Sequence, residues 1–183
     1  MEHIRVNEKI RLEMLKASMA QIIFETIDRD RKYLRNWLPF VDDTKKVSDT
    51  ETFIATVTNT NNNKDIIYSI WYNEMFAGLI GFKDTDWMNK KSEIGYWLAE
   101  NMQGKRIVTS CVEKLIQHAF QKLKLNRIQI KVAENNTKSA SIPKRLGFVY
   151  EGTERAGEKH HNKYLNLKVY SLLKEDISKS FAT

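Results

Sequence analysis

The stretch Glu93–Phe120, EIGYWLAENMQGKRIVTSCVEKLIQHAF, constrains the fold more than any other part of the chain. Ile94-Gly95-Tyr96-Trp97-Leu98 is apolar and aromatic, too short for a helix and bounded by polar residues, which predicts a buried strand. Asn101 to Gly104 supplies turn chemistry. From Ile107 onward Val108, Cys111, Val112, Leu115, Ile116, Ala119, Phe120 and Leu123 recur at helical spacing, predicting a long helix with one continuous inner face. The pattern puts Lys105 and Arg106 in that helix's first turn, where the macrodipole disfavours each cation by about 0.3–1 kcal/mol. An anion bound to the free N–H groups there would remove the conflict. Two solvated basic residues on a tolerant surface are the other reading.

Bulk properties narrow the classes. At 183 residues, 42% hydrophobic and 29% charged, the chain has the length and composition of one globular domain spanning 1–183, with no linker-like stretch. A net charge of +7 favours acidic partners: nucleic acid, a ribosomal surface, an anionic membrane or a polyanionic cofactor. Lysines and arginines are scattered rather than interleaved with aromatics, so no specific nucleic-acid partner is expected. Cys111 is the single cysteine, which excludes an intramolecular disulfide and a cysteine-rich metal site. On the helix's inner face it reads as a small buried hydrophobe. No signal-peptide core and no run approaching the roughly 20 apolar residues of a membrane span is visible, so a cytoplasmic location is expected.

Taken in order, Ile10–Leu15 reads as an edge strand and 17–30 as a helix with Ile22, Ile23 and Ile27 inward. Tyr33, Trp37 and Phe40 follow at three- and four-residue intervals, before and after Pro39. Ser48 and Glu51 have capping-box spacing, ahead of a helix through Phe53, Ile54 and Val57. A flexible Asn-rich loop is expected over 58–64, then a hairpin of Ile66–Tyr72 and Met75–Phe82 and a loop over 84–91 carrying Trp87. Arg127 to Val132 alternates as a strand, Asn136 caps a helix that Pro143 should shorten or bend, and Gly147 suits its end. Strands 148–154 and 164–173 close the chain, joined by a basic loop with His160 and His161, which is read as solvated or substrate-facing. The order implies a mixed α/β fold: a central, mostly antiparallel twisted sheet flanked by helices.

Two blocks carry a resemblance. Gln103-Gly104-Lys105-Arg106-Ile107-Val108 resembles the Q/R-x-x-G-x-G/A loop of the GNAT acyl-CoA N-acyltransferases, with Arg106 at the central glycine and Val108 at the final Gly/Ala. Asn136-Thr137-Lys138-Ser139, Leu146-Gly147-Phe148 and Glu151-Gly152 are similar to the N-x-x-S…L-G-F…E-G pattern of the ribosomal-protein branch, the RimJ/RimL type. Glu93–Leu98 and Trp37-Leu38-Pro39-Phe40 also look like that branch, so the resemblance covers nearly the whole chain. It implies the GNAT fold, acetyl-CoA as co-substrate with no metal, and an acceptor amine that is a (ribosomal) protein N-terminus. A small amine or antibiotic is the enzymatic alternative, and a non-catalytic acyl-CoA- or RNA-binding protein the other. A homodimer is expected by the same likeness.

The resemblance also implies roles. Gln103, Gly104, Lys105, Arg106, Ile107, Val108 and Thr109 would hold the pyrophosphate, and Asn136 would contact the coenzyme. The backbone from Tyr96 through Trp97 and Leu98 to Ala99 would pair with the pantetheine arm. Ser139 would be the general acid beside the sulfur; by residue type alone Asn136 and Ser139 read as a plain helix start. Glu93 is the candidate base or water-ordering group, or an exposed strand-end carboxylate. Trp37 and Phe40 would form the acceptor wall, or else staple the first helix to the core. Arg106 is expected to keep right-handed helical dihedrals with its Cβ turned away. An α-amine, with a reference pKa of about 7.7–8.0, needs only a weak base, whereas a lysine at about 10.4 is a harder acceptor.

Overall fold

The structure, a computed structural model, describes residues 3–59 and 64–180. The expected flexible loop over 58–64 falls mainly on residues 60–63, which lie outside the described residues. Strands β1 (His3–Arg5), β2 (Ile10–Met14), β3 (Ile66–Tyr72), β4 (Met75–Asp86), β5 (Lys91–Leu98), β6 (Arg127–Ala133), β7 (Val149–His160) and β8 (Lys163–Leu173) form one sheet. Its order is β1-β2-β3-β4-β5-β6-β8-β7. All neighbours are antiparallel except β5 and β6.

The helices are α1 (Ala20–Arg29), α2 (Arg31–Leu34), α3 (Val47–Thr58), α4 (Ile107–Gln121), α5 (Thr137–Arg145) and α6 (Lys174–Ser180). The predicted stripe of α4 is its buried face: Val108, Cys111, Val112, Leu115, Ile116, Ala119 and Phe120 join Ile80, Phe82, Ile94 and Ile128 in one core. Burying each such large aliphatic or aromatic side chain contributes roughly 1.5–3 kcal/mol. Burial pushes the Cys111 thiol up to about 12, which keeps it inert. A second core gathers Ile23 and Ile27 of α1, Ile54 of α3, and Phe76, Leu79 and Trp97 of the sheet.

Several boundaries differ from the sequence reading. Helix α3 starts at Val47 with Lys46 as its cap, so Ser48 lies inside it. The Asp49 carboxylate decides this, accepting from the Lys45 and Lys46 amides at 2.8 and 3.0 Å. The loop expected over 84–91 shrinks because β4 runs on to Asp86. Likewise β7 extends to His160, through register shifts after Tyr150 and after Glu154.

The β5–β6 pairing positions everything that follows. Register holds for Lys91↔Arg127, Ser92↔Ile128 and Glu93↔Gln129, and stops there. Strand β5 stays paired to β4 as far as Gly78↔Leu98. Gly78 makes that pairing possible: a Cβ on it would stand 2.2 Å from the Trp97 carbonyl oxygen. Gly78→Ala is therefore expected to lower stability by about 1–3 kcal/mol, the usual cost of overpacking. Urea titration should show the earlier midpoint, and the Trp97 and Leu98 amides should exchange faster with solvent.

Candidate active site

Beyond Glu93 the two parallel strands part, so the peptide groups of Ile94–Leu98 that face β6 have no ladder partner there. An extended chain of amides can complete that edge. The gap opens into a cleft of about 1610 Å³ that reaches α4 and α5 at one end and α1–α3 at the other. Tyr96, Trp97, Leu98, Gln103, Gly104, Arg106, Val108, Thr109, Asn136, Ser139, Glu93, Trp37 and Phe40 all line it. Ala99, by contrast, already spends its amide on the Ala77 carbonyl at 2.8 Å.

Lys105 and Ile107 do not line the cleft. Ile107 is 1% exposed and belongs to the core. Lys105 folds away from the helix: its Nζ donates to the Asn101 carbonyl at 3.1 Å and lies 5.5 Å from the Tyr72 ring centre. Helix α4 begins at Ile107, so neither cation occupies its first turn as the sequence pattern suggested. Arg106 is the N-cap, at φ 59° and ψ 15°. The expectation of right-handed dihedrals there is wrong. Together with Gly104 at φ 74° it makes a left-handed turn immediately before the α4 N-terminus. A Cβ in that region costs roughly 1–2 kcal/mol, and the chain accepts this rather than distorting the loop.

Helix α5 seals the same end. Asn136 Oδ1 accepts from the Ser139 amide at 3.1 Å, a true N-cap. Lys138 donates to Gln103 Oε1 at 3.2 Å and Arg145 to Thr109 Oγ1 at 3.0 Å, tying α5 to the turn and to α4. Ser139 Oγ donates to the Tyr96 hydroxyl at 3.1 Å, and that hydroxyl donates to the Ser139 carbonyl at 3.3 Å. Burial pushes the Tyr96 phenol up to about 12, so it remains protonated.

Further along, Glu93 is 6% exposed rather than a surface carboxylate. Lys83 Nζ sits 2.7 Å from one of its oxygens and Gln129 Nε2 donates to the other at 3.1 Å. Glu158, also on the cleft, was missed by sequence reading. Burial pushes its carboxyl above the ordinary range, Lys83 pulls it back and Glu93 pushes it up. Nothing in the sequence pattern points to it, because the bulge after Glu154 carries β7 beyond its apparent end.

The other end of the cleft is walled by residues 36–40. Trp37 is half-buried and Phe40 is 40% exposed; both face the cleft rather than the core. Arg35 grips Asp42 with two donors at 3.1 and 2.8 Å, closing the segment on itself. The β7–β8 tip then holds it: His161 Nδ1 lies 3.0 Å from Asp42 Oδ2 and Nε2 3.3 Å from the Arg35 carbonyl. His160 is 3% exposed, not solvated as expected. The left-handed φ of 54° at His161 breaks strand alternation and brings the two rings to 4.3 Å. Among the described residues no group of three or more metal-ligating side chains forms.

Residues 9–149 match the family described as the acetyltransferase (GNAT) domain. The chain belongs to the GNAT acetyltransferase family. A Bacillus subtilis protein, YdaF, named as a ribosomal N-acetyltransferase, is 34% identical over 94% of this chain and 95% of its own. The Escherichia coli ribosomal-protein-serine acetyltransferase is 28% identical over 93% and 96%. A crystal structure of the microcin C7 self-immunity acetyltransferase MccE, in complex with acetyl-CoA and AMP, superposes with a TM-score of 0.89 at 30% identity. That likeness covers 94% of this chain and 96% of MccE. Acetyl-CoA is the acyl donor of this N-acetyltransferase. The GNAT reading of Arg106 now has a measurable consequence. Arg106→Gly should raise stability by about 0.5–1 kcal/mol in a thermal melt, the relief of a left-handed Cβ less glycine's extra unfolded-state entropy. Coenzyme A affinity by calorimetry should stay within about tenfold, or 1.4 kcal/mol.

Proposed function

We propose that the protein acetylates the N-terminal α-amine of a protein, with a ribosomal protein as the leading candidate, in the cytoplasm and by direct transfer within a ternary complex. The observation that carries this reading is the placement of Ser139 and Glu158 on the one cleft that the open β5 edge borders. The two relatives named for ribosomal-protein acetylation support the acceptor class.

Acetyl-CoA supplies the acetyl group on a thioester. Gln103, Gly104, Arg106, Val108 and Thr109 hold its phosphates beside the α4 N-terminus, and Asn136 and the β5 edge orient its arm. Ser139 Oγ offers a hydrogen bond to the departing sulfur. The acceptor passes the Trp37–Phe40 wall, and Glu158, raised towards neutrality by burial, takes its proton. Glu93 is committed to Lys83 and Gln129, so its part is to set the charge that Glu158 meets.

A second reading follows from MccE, whose crystal structure holds AMP beside acetyl-CoA. The aromatic wall of Trp37, Phe40 and Phe53 offers stacking surface for a small amine that bears a nucleotide. An acceptor panel with acetyl-CoA separates the two: a peptide with a free N-terminal serine, an N-blocked lysine peptide, and a nucleotide-bearing amine. Fastest acetylation of the first is expected, and turnover of only the third would overturn the leading reading.

Two substitutions test the roles. Ser139→Ala should lower kcat about 10²-fold with little change in coenzyme A affinity; equal loss of both would leave Ser139 a helix cap. For the base, kcat/KM should fall as pH drops through the Glu158 titration, which its raised pKa places above the ordinary 4.5. Glu158→Gln should remove that limb and about 10²-fold of rate, whereas Glu93→Gln should shift the limb without abolishing it.

A further inference from the structure

Proline in the interior of a helix removes one donor: the N–H that would bond to the carbonyl four residues back. In α5 that proline is Pro143, and the carbonyl it leaves open is that of Ser139. The Tyr96 hydroxyl, arriving from β5, donates to this carbonyl at 3.3 Å, and the phenol oxygen in turn accepts from Ser139 Oγ at 3.1 Å. With its amide on Asn136 as well, Ser139 is fixed at all three of its polar atoms. One phenol therefore contacts two oxygens of a single residue, and once the Ser139 hydroxyl turns its own hydrogen away the phenol's hydrogen can serve either.

We infer that Tyr96 is a positioning residue for acetyl transfer, swinging its hydrogen from the Ser139 carbonyl to Ser139 Oγ as that hydroxyl turns to the departing sulfur. The inference rests on the proposed role of Ser139. Its chemistry is set by acid strengths. A thiol has a reference pKa of about 8.5, and the Tyr96 phenol stands at about 12. A phenol that weak does not surrender its proton to a departing thiolate. What the pair supplies is a chain of hydrogen bonds, Tyr96 O–H to Ser139 Oγ and Ser139 O–H to sulfur, in which the first strengthens the second. The carbon–sulfur bond breaks and the carbon–nitrogen bond forms with no net proton lost from either side chain. Pro143 completes the device by keeping a resting acceptor open for the phenol, so Tyr96 stays bonded when sulfur is absent.

The test is a double-mutant cycle with acetyl-CoA and a peptide bearing a free N-terminal serine. Tyr96→Phe should lower kcat about tenfold while the calorimetric affinity for coenzyme A stays within about twofold. The pair Tyr96→Phe with Ser139→Ala should be no slower than Ser139→Ala alone, because the phenol acts only through the serine. Incorporation of 3-fluorotyrosine at position 96 keeps the ring's shape and strengthens its donor, and should raise kcat; it stands in if Tyr96→Phe folds poorly. Additive losses in the double variant, or a fall in coenzyme A affinity that matches the fall in kcat, would overturn the inference. If Ser139→Ala is slow and Tyr96→Phe is not, this inference fails alone. If Ser139→Ala is itself as fast as the parent, the serine assignment and the inference fall together.

Discussion

The site depends on one interruption of hydrogen bonding. Three register pairs hold β5 and β6 together, and after Glu93↔Gln129 nothing does. A parallel pair buried on both faces would ordinarily run on, because unpaired backbone groups away from water are costly. Here β4 and the α4 core secure β5 from one side, so its other edge stays straight while unpaired. The edge is thus a strand-shaped vacancy within the sheet. It also explains where the candidate residues fall: Glu93 marks the fork, Tyr96 and Trp97 the open edge, and Ser139 the first turn of the helix that follows β6.

Fold class was legible because its signals are local. The α4 stripe, the alternation of Ile128, Ile130 and Val132, and the turn residues between them do not depend on distant contacts. Much of the α4–α5 end of the cleft was legible too, since Gln103, Gly104, Arg106, Val108, Thr109, Asn136 and Ser139, which line it, fall in two short runs at helix starts. What escaped reading was set by backbone irregularity or by partners far away in sequence. Glu158 lies beyond a bulge that no periodicity announces. Arg106 takes a left-handed φ as the N-cap of a helix that begins at Ile107, after both cations rather than around them. The environment of Glu93 depends on Lys83 across the hairpin and on Gln129 across the fork.

Pro143 shows how a residue can be read correctly and still be misunderstood. It was expected to shorten or bend its helix, yet α5 continues through Arg145. The helix tolerates it because the missing bond lies one turn from the end and Tyr96 satisfies the open carbonyl. A local weakness in α5 is thereby converted into a cross-link to β5, which also bridges the two sides of the cleft.

The opposite end is held by charge rather than by burial. Arg35, Asp42 and His161 are each partly exposed, so their ion pairs contribute little to global stability. Their value lies in where they act. The Arg35 carbonyl and the Asp42 carboxylate bracket the segment that carries Trp37 and Phe40, and one imidazole contacts both ends. Only a ring with a proton on each nitrogen can donate to both acceptors. The α4–α5 end of the cleft is tied by Lys138 to Gln103, by Arg145 to Thr109 and by Asn136 to the Ser139 amide. The wall of Trp37 and Phe40 is fastened instead by a ring from the β7–β8 tip, far away in sequence from the segment it holds.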